Sequence, residues 1–198
     1  MSRTLRQISD PLAGALRGKQ PYLLLSLGIL VLDQWSKWLV ESRLEGAPPV
    51  DVIPGLLNLT HVRNTGVAFG LFPAGGSLVG MVLLSILGFA GFSLLSYYFL
   101  NTPRHQRLLL GSLALVLGGA VGNLLDRVAS GAVTDFIDLH FRGYHWYTFN
   151  VADSAITAGI ALMTLELFLP SRPAVTEECR GDSVSGATGA ASRSPELP

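Results

Sequence analysis

The chain has 198 residues, 49% hydrophobic and only 14% charged, with a mean hydropathy of +0.43 and no formal net charge. Soluble domains carry roughly 25% charged residues, so this deficit points to a membrane protein, and the missing basic excess argues against nucleic acid as a partner. The single cysteine, Cys179, excludes an intrachain disulfide and a thiolate cluster, and no His or Asn near it in sequence would activate the thiol.

Residues 1–20 are polar and basic, with Arg3, Arg6, Arg17 and Lys19. The first apolar run, about 21–40, is followed by no small-residue cleavage site, so it reads as an uncleaved helix rather than a signal peptide. Further apolar runs cover about 77–100, 108–125 and 151–169. Each approaches the ~20 residues needed to cross a bilayer core. Tyr97, Tyr98, Trp146 and Tyr147 stand near span ends, where interfacial anchors sit.

Between the first two spans, residues 48–72 are broken by Pro48, Pro49, Pro54, Gly55, Gly66 and Gly70. The alternation in LLNLTHVRN predicts a strand of a small surface sheet, with Asn64 and Gly66 at its turn. Residues 170–198, rich in Ser, Ala, Gly and Pro, are expected to be a disordered tail outside the four-helix membrane domain of 21–169. Nine of the fourteen Lys and Arg residues fall in the N-terminal segment, the 101–107 connection and the tail. The positive-inside rule then predicts cytoplasmic termini, with 41–76 and 126–148 facing outward.

Charges inside spans are costly, by roughly 2.5–3.5 kcal/mol at a helix centre, so each needs a reason. Asp33 and Lys37 are four apart on one helix face. They read as a structural ion pair, with Lys37 able to snorkel outward, or as groups orienting a site. Asn123, Asp126 and Arg127 share a face at the end of the third span and read as a brace, Arg127 keeping Asp126 ionised. Gly118 and Gly122 form a small-xxx-small pair that admits a neighbouring helix closely. Asn150 and Asp153 open the fourth span, where a cap is the plain reading. Asp135 lies among apolar neighbours in VTDFIDLH, with Asp138 as its competitor, on the opposite face if the stretch is extended. Ser154 has no His partner, and His61, His105, His140 and His145 show no metal-ligand spacing. The chemistry left is a carboxylate pair, Asp135 with Asp153: one holds a proton, the other activates a water. A proton carrier and a structural subunit whose acids are caps and braces are the other classes.

At these residues the chain resembles the lipoprotein signal peptidases, or signal peptidase II. The likeness rests on DQWSK (33–37), NTGVAF (64–69), GGAVGNLLDR (118–127), VTDF (133–136) and FNVAD (149–153), in that order. It implies a four-transmembrane-helix bundle with a small extracytoplasmic β-sheet. It also implies an aspartic endopeptidase of the bacterial inner membrane, cutting diacylglyceryl-prolipoproteins on the N-terminal side of the lipidated Cys, without metal or organic cofactor. By position, Asp135 and Asp153 match the catalytic pair. Asn64, Asn123, Arg127, Asn150 and Ala152 match the surrounding pocket, and Asp33 with Lys37 the first-helix pair. Val67 and Thr134 depart from residues common in the family. The expected partners are prolipoprotein substrates and membrane lipids, with the protein a monomer.

Overall fold

Polar backbone can cross a hydrocarbon layer only when its hydrogen bonds close within the segment, which helices achieve. A computed structural model of the chain describes residues 11–65 and 78–168. It contains a short helix α1 (Pro11–Leu16) and four long ones: α2 (Gln20–Leu44), α3 (Leu78–Asn101), α4 (Arg107–Ser130) and α5 (Val151–Phe168). All four long helices are long and apolar enough to span a membrane. The protein is thus mostly helical, with a four-span bundle as its sequence predicts. The expected disordered tail and the Gly66 position lie outside the described residues.

Two helices overrun their expected limits. α2 and α4 continue to Leu44 and Ser130, past the ends of their apolar runs. Hydropathy marks where the chain leaves an apolar layer, whereas a helix stops only at a terminating signal. For α4 that signal is Gly131, at φ 73°, whose N–H donates to the Arg127 carbonyl at 3.0 Å. This is the left-handed conformation that glycine adopts without a steric penalty. At the other end of the bundle, Lys19 Nζ donates to the carbonyls of Phe99 and Leu100 at 2.6 and 2.7 Å. It thereby satisfies acceptors that the last turn of α3 leaves open.

α4 is the central helix. Over half of its most apolar stretch is buried, against less than a fifth in the other three. Leu110, Leu113, Ala114 and Leu117 of α4 pack with Phe99 of α3. The glycines of α4 let its neighbours come close. A Cβ at Gly118 would lie 2.7 Å from the Ser26 carbonyl of α2, and one at Gly122 would lie 2.5 Å from Asp33 Oδ2. One at Gly119 would collide with the Ala152 carbonyl of α5. The small-xxx-small reading therefore holds, and Gly119 extends it to a second neighbour.

Four antiparallel strands form the sheet, in the order β1 (Val50–Ile53), β2 (Leu57–Asn64), β3 (Val133–Phe141) and β4 (Tyr144–His145). Asn64 pairs with Val133, and Val62 with Asp135. Asn64 is thus the last residue of a strand rather than part of a turn. The pairing has a physical consequence: it brings the end of β2 beside the start of β3, immediately after α4 ends.

Candidate active site

The site is built where α5 begins. Asn150, fully buried, caps the helix: its Oδ1 accepts from the Asp153 N–H at 2.9 Å, and Asp153 Oδ2 accepts from the Asn150 N–H at 3.3 Å. This reciprocal pair satisfies donors that a helix start leaves unpaired. The Ala152 N–H, one residue earlier, donates instead to Asp33 Oδ1 of α2 at 2.8 Å. The cap reading of Asn150 and Asp153 is therefore correct, and it does not exhaust their contacts.

Asp33 is fully buried and Lys37 nearly so. Lys37 Nζ reaches Asp33 Oδ2 and Asp126 Oδ2, both at 2.7 Å, and donates to Asn123 Oδ1 at 3.0 Å. Its three protons are thus matched by three acceptors, and it does not snorkel: the acids of two helices hold it inside. This corrects the pairing expected for Asp126. Its cation is Lys37, with Gln34 Nε2 donating to it at 2.8 Å. Arg127 turns its guanidinium to the Asn123 carbonyl at 3.3 Å. Adjacent residues on a helix diverge by about 100°, so the neighbour in sequence is not the neighbour in space.

Asn123 carries this order to the acids. Its Oδ1 accepts from Lys37 and, at 3.2 Å, from Asn150 Nδ2, so its Nδ2 is left to donate, and it does so to Asp153 Oδ1 at 2.7 Å. Asn150 Nδ2 also donates to Asp135 Oδ1 at 2.7 Å, and Asn64 Nδ2 to Asp135 Oδ2 at 2.9 Å. Asp135 on β3 and Asp153 on α5 are therefore held in one network, each in contact with Asn150. Asp135 is 2% exposed. Burial pushes its pKa from 3.8 up to about 6; the Asn64 hydrogen bond opposes the rise and the negative charge of Asp153 adds to it. A buried acid with a raised pKa beside a partly exposed, hydrogen-bonded acid can divide acid and base roles at one site.

The structure brings together Asp33, Lys37, Asn64, Asn123, Asp126, Asp135, Asn150, Ala152 and Asp153, with Arg127 at the edge through a backbone contact. Asp138, the competing acid, faces elsewhere and contacts His145 Nδ1 at 2.9 Å. Sequence reasoning missed Gln34 and Thr134. Thr134 donates to Glu41 Oε1 at 2.6 Å, and its carbonyl accepts from Asn150 at 3.3 Å. Both lie inside the quoted motifs, but their contacts cross between elements, and no local spacing reports that. Sequence spacing also passed over Asp138, His140 and His145, whose ligand atoms lie within 4.8 Å of one another.

Residues 25–169 match the family model described as signal peptidase (SPase) II. A lipoprotein signal peptidase of Solibacter usitatus is 42% identical over 146 residues, covering 74% of this chain and 89% of that protein. One from Polynucleobacter necessarius is 44% identical over 142 residues, covering 72% and 85%. Among solved structures, a bacterial membrane enzyme determined by the in meso method at 1.9 Å resolution superposes with a TM-score of 0.67 at 30% identity, covering 75% of this chain and 92% of that one.

Proposed function

The chain belongs to the signal peptidase II family, and from that premise we propose that it removes signal peptides from diacylglyceryl-modified prolipoproteins, with Asp135 and Asp153 as the catalytic pair. The observation that carries this reading is the position of Asn150, which donates to Asp135 at 2.7 Å while sharing reciprocal hydrogen bonds with Asp153. Asp153 takes a proton from a water, and the hydroxide attacks the scissile carbonyl. Asp135, the buried acid, donates its hydrogen bond to the oxygen on which negative charge develops. Collapse of the tetrahedral intermediate breaks the C–N bond, and the departing amine of the lipidated Cys takes up a proton from the pair. The burial of Asp135 supports its role as the proton holder, and the amide of Asn123 on Asp153 supports the ionised state there.

The substrate is held by its acyl chains, each buried CH₂ contributing roughly 0.8 kcal/mol, so long peptide contacts are unnecessary. The distribution of Lys and Arg supports cytoplasmic termini and a site near the outer leaflet of the inner membrane.

The test is cleavage of a lipidated prolipoprotein by purified variants in detergent, followed by gel shift. Asp135→Asn and Asp153→Asn should each be folded and inactive. Near-normal turnover by either would remove it from the pair, and equal turnover of an unlipidated substrate would remove the lipid requirement.

A further inference from the structure

β3 and β4 carry a second cluster that the proposed cleavage does not use. Asp138 and His140 are two residues apart on β3 and so lie on one face of the strand. His145 is the cross-strand partner of His140, which puts it on that same face. The hairpin between them is a two-residue turn, Arg142 at φ 51° and Gly143 at φ 80°, the conformation that keeps a tight antiparallel register. Backbone geometry therefore converges three side chains of metal-ligand type.

Three details point to a cation. The ligand atoms of the three residues lie within 4.8 Å of one another. A tetrahedral zinc site spaces its ligand atoms by about 3.4 Å, so closing the set asks for little more than an ångström, and the His145 side chain, 55% exposed, is free to turn. His140 Nδ1 is buried and has no hydrogen-bond partner among the described residues. Finally, the carboxylate of Asp138, 7% exposed as a residue, meets only His145 among the described residues, and His145 carries charge only when protonated.

We propose that Asp138, His140 and His145 form a binding site for a divalent first-row transition ion, Zn²⁺ being the best match for two imidazoles and one carboxylate. A fourth position is left to water. The rings of His140 and His145 now stack with centroids 5.0 Å apart, and the ion draws the His145 ring out of the stack. Its effect is to clip β4 to β3, the strand that also carries Asp135. The proposal is independent of the cleavage chemistry.

The experiment uses the full, untagged chain in detergent, stripped with chelator and titrated with Zn²⁺ at pH 7.5 by calorimetry, with bound metal counted after dialysis. One ion per chain is expected, along with a higher thermal midpoint. His140→Ala and His145→Ala should each weaken binding by about ten-fold or more and abolish the rise in midpoint, while His61→Ala and His105→Ala should leave both unchanged. No retained ion at micromolar free Zn²⁺, or undiminished binding in the His140→Ala/His145→Ala double variant, would overturn the proposal. Because His145 is exposed at a hairpin, its variant keeps the fold and reads the site directly.

Discussion

Lys37 of α2 and Asp126 of α4 form an ion pair at 2.7 Å, and Lys37 shares its ammonium with Asp33 at the same distance. One cation thus serves the buried Asp33 and the partly buried Asp126, and fastens the first and third spans beside the start of the fourth. Removing one partner of a buried pair strands the other charge, which typically costs 3–5 kcal/mol. Lys37→Met should therefore lower the thermal midpoint sharply in detergent. Asp126→Asn should lower it less, because Asp33 still neutralises Lys37. Equal midpoints for Lys37→Met and the parent would refute the shared role.

The glycines of α4 separate by what stands opposite them. Gly119 faces the Ala152 carbonyl, which is backbone and cannot yield, whereas none of the described residues lies within 4 Å of a Cβ at Gly111. Gly119→Ala should destabilise by at least about 1–3 kcal/mol, the usual cost of overpacking. Gly111→Ala should be neutral or stabilising by about 0.5–1 kcal/mol through helix propensity. Thermal midpoints of the two variants, measured side by side, check this contrast.

Asn150 supplies a cap and a positioning bond with one side chain. Asn150→Ala should cost about 1 kcal/mol or more for the cap and lower kcat by roughly 10²-fold through misplacement of Asp135. KM should change little, because in the proposed reading the substrate is held by its acyl chains. A fall in stability with unchanged kcat would reduce Asn150 to a cap.

Asp135 makes stability depend on pH in a definite direction. Its carboxyl is raised from 3.8 to about 6, mainly by burial, so the native state keeps a proton that the unfolded chain has released. The associated stability is complete below pH 3.8 and is lost as pH rises through about 6. The loss is at most about 3 kcal/mol by linkage. Between about pH 4.5 and 7.5, the thermal midpoint of the parent should fall more than that of Asp135→Asn. Parallel curves would show that Asp135 titrates normally.

Much of this molecule is legible from local pattern. The four apolar runs predict four helices, and LLNLTHVRN predicts β2. The acids of the polar network, Asp33, Asp126, Asp135 and Asp153, all lie inside the quoted motifs. What failed to show was the choice of partner. DR at 126–127 reads as a pair, yet the ammonium on Asp126 comes from Lys37 on another helix. Asp138, His140 and His145 show no ligand spacing in one dimension because one of them crosses a hairpin. Lys37 reads as a snorkelling residue when only its own span is considered. It is buried because Asp126 and Asn123, 86 positions from Lys37 in the case of Asn123, supply acceptors inside.

By itself the sequence determined the membrane setting, the number of spans and the small sheet, because hydrophobic burial and backbone satisfaction act over neighbouring residues. Tertiary structure alone decided which polar groups meet. The Ala152 N–H finds Asp33 across 119 positions, because Gly118, Gly119 and Gly122 let α2 and α5 close on α4. Hydrogen bonds reach only about 3 Å, so their partners are set by that approach rather than by spacing along the chain. The proposed carboxylate pair of Asp135 and Asp153 depends on it: one acid arrives on a strand and the other on a helix, and Asn150 contacts both.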